Sequence, residues 1–227
     1  MRQTVRTCGL AATLLAWVMF LGGCSDDTTA TKAASPEQAA RLAALQELAV
    51  KNSEQSLATA VQAVQNEDVV TAKTAVRVIG RMPQQGATAA LTKVIAEDRR
   101  PEVREEAALA LGACPTEKAV EALCEVIQKD AAPRVRAAAA VGLGRTGSLR
   151  NVEFLLRACE SEKDPVVQYQ TIGALEKILG IGFTFDPGLS PERRKITLER
   201  IRIAATIRAK ALRDQARSRP GTGARRG

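Results

Sequence analysis

Apolar residues in this chain recur on a period far longer than a helical turn. Ile79, Leu111, Leu143 and Leu175 stand 32 residues apart, as do Leu91, Leu123 and Leu155. Neighbouring columns hold Val76, Ala108, Ala140 and Ile172, then Ala75, Ala107 and Ala139, then Val94, Val126 and Ala158. Gly80, Gly112 and Gly144 mark the same period, and so do Pro101, Pro133 and Pro165. Such self-similarity is the signature of a solenoid, whose units cannot bury their apolar faces alone and must stack.

Each period carries two helical stretches. From Pro101 to Gly112, the proline sits in a first turn whose N–H groups lack partners anyway, and the glycine is expected to close the helix with positive φ. Thr116 opens the second stretch, in which Val120, Leu123, Val126 and Ile127 share one face, and which is expected to return antiparallel. The small columns at Ala107, Ala108, Ala139 and Ala140 allow close helix approach. At the N-terminal end Ser35, Pro36, Glu37 and Gln38 read as a capping box opening a helix to about Val50. The last period departs from the pattern, with Glu176 in the glycine column, as expected of a terminal repeat with one side in water. An aromatic turn from Gly180 to Pro187 follows, and then a helix from Pro191 to about Arg217.

The pattern Asp98, Pro101, Val103, Arg104, Ala107, Ala108, Ala110, Leu111, Gly112, echoed by Asp130, Pro133, Val135, Arg136, Ala139, Ala140, Leu143 and Gly144, resembles HEAT repeats of the short bacterial type. This type is also found in phycobilin lyases. The resemblance is specific over 101–128 and 133–161, fair over 68–97 and 165–179, and faint over 36–65. It implies an all-α fold, an α-solenoid of about five HEAT-like antiparallel helix pairs across 36–182, completed by the aromatic turn and a long basic capping helix across 183–218. In such repeats Asp98, Asp130, Arg104 and Arg136 resemble an internal ladder that ties adjacent loops together, since a half-buried Arg needs a partner.

Composition narrows the chemistry. Hydrophobic residues make up 45% of the chain and aromatic ones only 3%, so Ala, Leu, Val and Ile must fill the core. Sixteen Gly and nine Pro are too few for a turn-rich β-sandwich. There is no His, and Trp17 and Tyr169 are the sole Trp and Tyr, which removes the commonest general base and the commonest metal ligand. No catalytic residue, metal or cofactor is expected. Cys124 and Cys159 fall in apolar columns and read as core residues; Cys114 lies in a turn with no metal-ligand spacing beside it.

The first residues read as an address. Arg2 and Arg6 precede the apolar run Ala11 to Leu21, which is short for a membrane span and suits a signal peptide over 1–23. Leu21, Gly22, Gly23 and Cys24 resemble a bacterial lipobox, which implies a lipoprotein cleaved before Cys24 and acylated on it, palmitate being among the chains such a cysteine carries. Several chains anchor stably where one is marginal. Ser25 follows, where enteric-type bacteria place Asp for inner-membrane retention; the reading is a lipid-anchored protein of the bacterial cell envelope, on the outer membrane facing the periplasm. Residues 24–35 lack large apolar groups and are expected to form a flexible tether reaching about 18 Å.

Charge is uneven. Residues 191–227 hold twelve Lys or Arg against three Asp or Glu, a net +9, which leaves 24–190 at −3 of the chain's +8 once Arg2 and Arg6 are set aside. The basicity is therefore C-terminal, with 219–227 expected to be a disordered basic tail. Arg193, Arg194, Lys195 and Arg202 are candidate contacts for anionic lipid or another envelope polyanion. Glu121, Glu153 and Arg157 are candidates on the repeats; Lys93, Glu125 and Arg157 are placed to bridge consecutive second helices. In the capping helix Ile196, Ile203 and Ile207 form one apolar stripe and Leu198, Ile201 and Leu212 another, of which one must seal the last repeat.

The favoured function is a non-catalytic scaffold that binds a protein partner. A HEAT-like enzyme related to bilin lyases, or to DNA glycosylases of similar architecture, is the alternative; export, the lack of His and the terminal position of the charge oppose it and argue against nucleic acid.

Overall fold

The computed structural model describes residues 35–218 apart from Asn52, Gln84, Pro115, Pro187 and Leu189. The expectations for the signal segment, for Cys24 and for the tail over 219–227 fall on residues outside that range, and so does all but the last residue of the tether. Ten α-helices follow in order: α1 (Pro36–Lys51), α2 (Glu54–Val64), α3 (Val69–Ile79), α4 (Gln85–Glu97), α5 (Pro101–Leu111), α6 (Glu117–Lys129), α7 (Pro133–Arg145), α8 (Val152–Ser161), α9 (Pro165–Leu179) and α10 (Pro191–Ser218). A single 3-10 turn, Leu149–Asn151, precedes α8, and no strand occurs among the described residues.

The boundaries have local causes. Pro101, Pro133 and Pro165 each stand in the first turn of their helix, where the missing N–H costs nothing. The Asp68 carboxylate accepts from the Val70 and Thr71 amides, Thr116 Oγ1 accepts from Ala119 N at 3.2 Å, and Asp164 caps α9 in the same way as Asp68 caps α3. Ser35 Oγ accepts from Gln38 N at 3.2 Å at the head of α1.

Odd-numbered helices α1 to α9 stack into one layer, and α2, α4, α6 and α8 form a second. The core lies between them. Leu91, Leu111, Leu123, Leu143, Leu155 and Leu175 are all fully enclosed there, each burial worth about 1.5–3 kcal/mol.

The glycine column does something other than close helices. Gly80 and Gly112 have φ of −63° and −62°, right-handed helical values, and Gly144 lies inside α7. A Cβ on Gly112 would come within 2.5 Å of the Gly142 Cα in the next first-layer helix; at Gly80 and Gly144 it would meet Ala110 and Ala174 at 2.8 Å. The expectation of positive φ at these glycines is thus corrected: the column is small because two helix backbones touch there. Only Gly147 and Gly180 take the left-handed conformation among the described residues, Gly180 as the cap that ends α9.

The C-terminal closure is reversed. As α10 ascends from Pro191 to Ala209, the residues beside it descend from Lys163, just past α8, to Leu149, just before it, so α10 runs antiparallel to α8, whereas α4 and α6 run alike. The chain over 180–186 therefore crosses back along α9 as a strap rather than making a local turn. Phe183 N donates to Glu176 Oε1 at 2.6 Å near the end of α9, and Phe185 lies beside Gln168 near its start. Of the two stripes on α10, Leu198 and Ile201 are buried against the last repeat. Leu212 is 42% exposed, because α10 outruns the ten-residue α8 it packs on.

Candidate functional site: the inter-repeat ladder, the grooves and the basic cap

Each first-layer helix from α5 onward carries a polar side chain one turn after its start, and the fold brings it between two loops. Arg104 forks onto Asp130, Nε to Oδ2 at 2.8 Å and Nη2 to Oδ1 at 3.0 Å, while Nη1 donates to the Asp98 carbonyl at 2.9 Å. Arg136 repeats this geometry on Glu162 at 2.8 and 3.0 Å, with Nη1 on the Asp130 carbonyl at 2.9 Å. Bidentate, charge-assisted bonds of this kind fix both distance and plane.

Two rungs are irregular. Ala72 stands where Arg104 and Arg136 would have a predecessor, and Arg100 substitutes from within the loop, gripping Asp98 at 3.0 and 2.8 Å and the carbonyls of Asn66 and Val64 at 2.6 and 2.8 Å. At the other end Gln168 takes the arginine place. Its Nε2 donates to the Glu162 carbonyl at 2.6 Å, and its Oε1 accepts from Arg194 Nη1 at 3.4 Å. Glu162, Gln168 and Arg194 were absent from the sequence-derived ladder although all three keep the 32-residue spacing; the change of residue type hid them.

The ladder shifts titration. Burial works against the charge on Asp130 and Glu162, yet the arginine forks and backbone donors hold both carboxyls below their usual range. Asp68, at the N-terminal side, is lowered to about 2, first by the Thr71 hydroxyl and then by the Gln38 amide. Burial pushes the Cys159 thiol up to about 12, with Glu160 adding to it, and raises Cys124 as well, which disfavours the thiolate either would need as a nucleophile. Among the described residues no group of three or more His, Cys, Asp or Glu is placed to hold a metal ion.

The second layer is looser than the first. A groove of about 740 Å³ opens between α2 and α4 beside Val61, Ala90 and Val94. Another of about 400 Å³ lies between α4 and α6, floored by Ile95, Ala122 and Val126, and a third of about 700 Å³ between α8 and α10. This spacing corrects the expected bridging of Lys93, Glu125 and Arg157 across helices. Each instead pairs one turn along its own helix: Lys93 with Glu97 at 3.9 Å, Glu125 with Lys129 at 2.8 Å, and Arg157 with Glu153 at 3.9 Å. Glu121 is exposed on α6.

The four basic candidates of the cap do not form one patch. Arg193 and Lys195 face solvent, whereas Arg194 turns inward to the ladder, its Nε buried without a hydrogen-bond acceptor. Arg202 is held by three carboxylates, Glu199 at 2.8 Å, Glu160 at 3.3 Å and Glu153 at 3.7 Å. It fastens α10 to α8 and is corrected from a free contact to a clamp. No described helix is long and apolar enough to cross a membrane.

Stacked helix pairs, backbone-close first helices and a loop ladder define a helical-repeat protein of the α-solenoid class. The family model for HEAT repeats matches residues 28–112 and 88–176, and the chain belongs to that family. Among solved structures it is similar to the complex of CpcE and CpcF of phycocyanin lyase from Nostoc sp. PCC7120, at 18% identity and a TM-score of 0.46, over 63% of this chain and 61% of that one. The chain thus spans about three fifths of the length of the solved chain it matches. No curated protein matches.

Proposed function

We propose that this protein is a non-catalytic scaffold that binds a protein partner at the bacterial cell envelope, held there by acylation of Cys24. The observation that carries the binding role is the contrast between the layers. First-layer helices are locked by backbone contacts and the arginine ladder, while second-layer helices stand apart around grooves with apolar floors and charged rims. A rigid frame with such grooves suits a docked segment of another chain, because binding then costs the frame little ordering entropy. Envelope anchoring rests on the sequence alone, through the basic start, the apolar run and Leu21 to Cys24.

Crosslinking in intact cells followed by purification from envelope membranes identifies the partner. Ala96→Arg with Ala122→Arg, which fills the groove between α4 and α6, is expected to abolish its capture without changing the helical content. Undiminished capture after each of the three grooves has been filled in turn would overturn the docking role. For the anchor, mass spectrometry is expected to find a mature chain beginning at acylated Cys24, and a Cys24→Ser chain with an otherwise identical mature mass would refute it.

A further inference from the structure

The stripe of α10 that does not seal the last repeat faces outward. Ile196, Ile203 and Ile207 are 54%, 59% and 63% exposed and lie within about 40° of one another around the helix. Arg193 and Arg200 border the same stripe, both exposed, and neither forms an ion pair among the described residues. Glu199, across the stripe, is already engaged by Arg202 at 2.8 Å, and Glu192 stands at the first turn.

From this placement we infer that the outer face of α10 seats on an anionic lipid surface, the isoleucines entering the headgroup boundary and the arginines bonding lipid phosphates. Arg200 bears on the choice of occupant. It falls in sequence between Ile196 and Ile203 and about 20° outside Ile207 around the helix, so a protein helix covering the isoleucines would also crowd its guanidinium and would need a carboxylate at the edge of an apolar seam. A lipid surface takes both together, because arginine stems lie along the acyl boundary while their heads reach phosphate. Nucleic acid would satisfy the cations and leave the isoleucines in water. A second copy would set Arg193 and Arg200 near their own equivalents, on two ends that each carry +9 over 191–227.

The inference is independent of the protein-docking role and of the lipid on Cys24. The test compares full-length chains that share the same N-terminal segment, so whatever that segment contributes to vesicle binding cancels. Co-sedimentation is measured with vesicles of phosphatidylcholine alone and of phosphatidylcholine with phosphatidylglycerol. Ile196→Ser, Ile203→Ser and Ile207→Ser combined, and separately Arg193→Gln with Arg200→Gln, are each expected to lower affinity for the anionic vesicles roughly tenfold. Arg81→Gln with Arg150→Gln removes the same charge from exposed sites elsewhere and is expected to change it little. Circular dichroism unchanged in all variants excludes unfolding as the cause. Equal binding of the unaltered chain to both vesicle types would overturn the inference and leave the face to an acidic protein helix. Loss with the arginine pair but not with the isoleucines would overturn it too, reducing the contact to charge alone.

Discussion

At Gly112 a methyl group has nowhere to go, since the atom it would meet is the Gly142 backbone at 2.5 Å and not a side chain that can rotate away. Gly112→Ala should therefore destabilise by about 1–3 kcal/mol through overpacking, although alanine is the better helix former by about 1 kcal/mol. Gly173→Ala, where a Cβ meets nothing within 4 Å, should be neutral or stabilising. Urea unfolding of the two variants checks this, and equal effects would mean that the first-layer helices are not in backbone contact. The periodic glycine was legible in the sequence; its reason was not. A helix-closing glycine and a close-approach glycine look alike along a chain, and only the backbone of the neighbouring repeat tells them apart.

At the scale of the element, α10 has two apolar stripes whose residue types are nearly the same. Ile201 is fully enclosed and Ile203, two residues on, is 59% exposed. Ile201→Ala should cost about 2–5 kcal/mol and speed amide exchange along α10, whereas Ile203→Ala should stay within about 0.5 kcal/mol of the parent. Denaturant unfolding with exchange mass spectrometry checks both, and a reversed order would show the cap seated on its other face. The sequence placed the helix and both stripes, yet left the direction of packing open. The strap over 180–186 settles that direction by carrying the chain back along α9, through contacts of Phe183 and Phe185 that have no equivalent in the other described repeats.

For the whole molecule the ladder sets a pH window. Asp68 is lowered to about 2 from 3.8, and Asp98, Asp130 and Glu162 are lowered too. Groups lowered in the folded state bind fewer protons there than in the unfolded chain, so their stabilisation is complete above the unfolded values near 4 and is lost as pH falls from there toward 2. Cys159 works the other way. Its thiol is raised to about 12 from 9.0, so its contribution is complete below pH 9 and fades as pH rises from 9 toward 12. Urea midpoints should hold a plateau between roughly pH 5 and 9 and fall on both sides. Asp68→Asn should flatten the acid limb and Cys159→Ala the alkaline one; a limb unchanged in its variant would assign that limb to other groups.

The sequence by itself determined the repeat, its length, the helix pairs, the leucine core and half of the ladder, because each unit must bury the same face against the next and so repeats the same residue types at the same spacing. Tertiary structure decided what lies between units or outside the pattern. It made Glu162, Gln168 and Arg194 the closing rungs, turned Arg194 and Arg202 from surface cations into fastenings, kept Lys93, Glu125 and Arg157 on their own helices, and reversed the cap. Those outcomes depend on distances between helices, which are set by the packing of small residues in one layer and by its looseness in the other. A spacing along the chain carries the first kind of information fully and the second hardly at all.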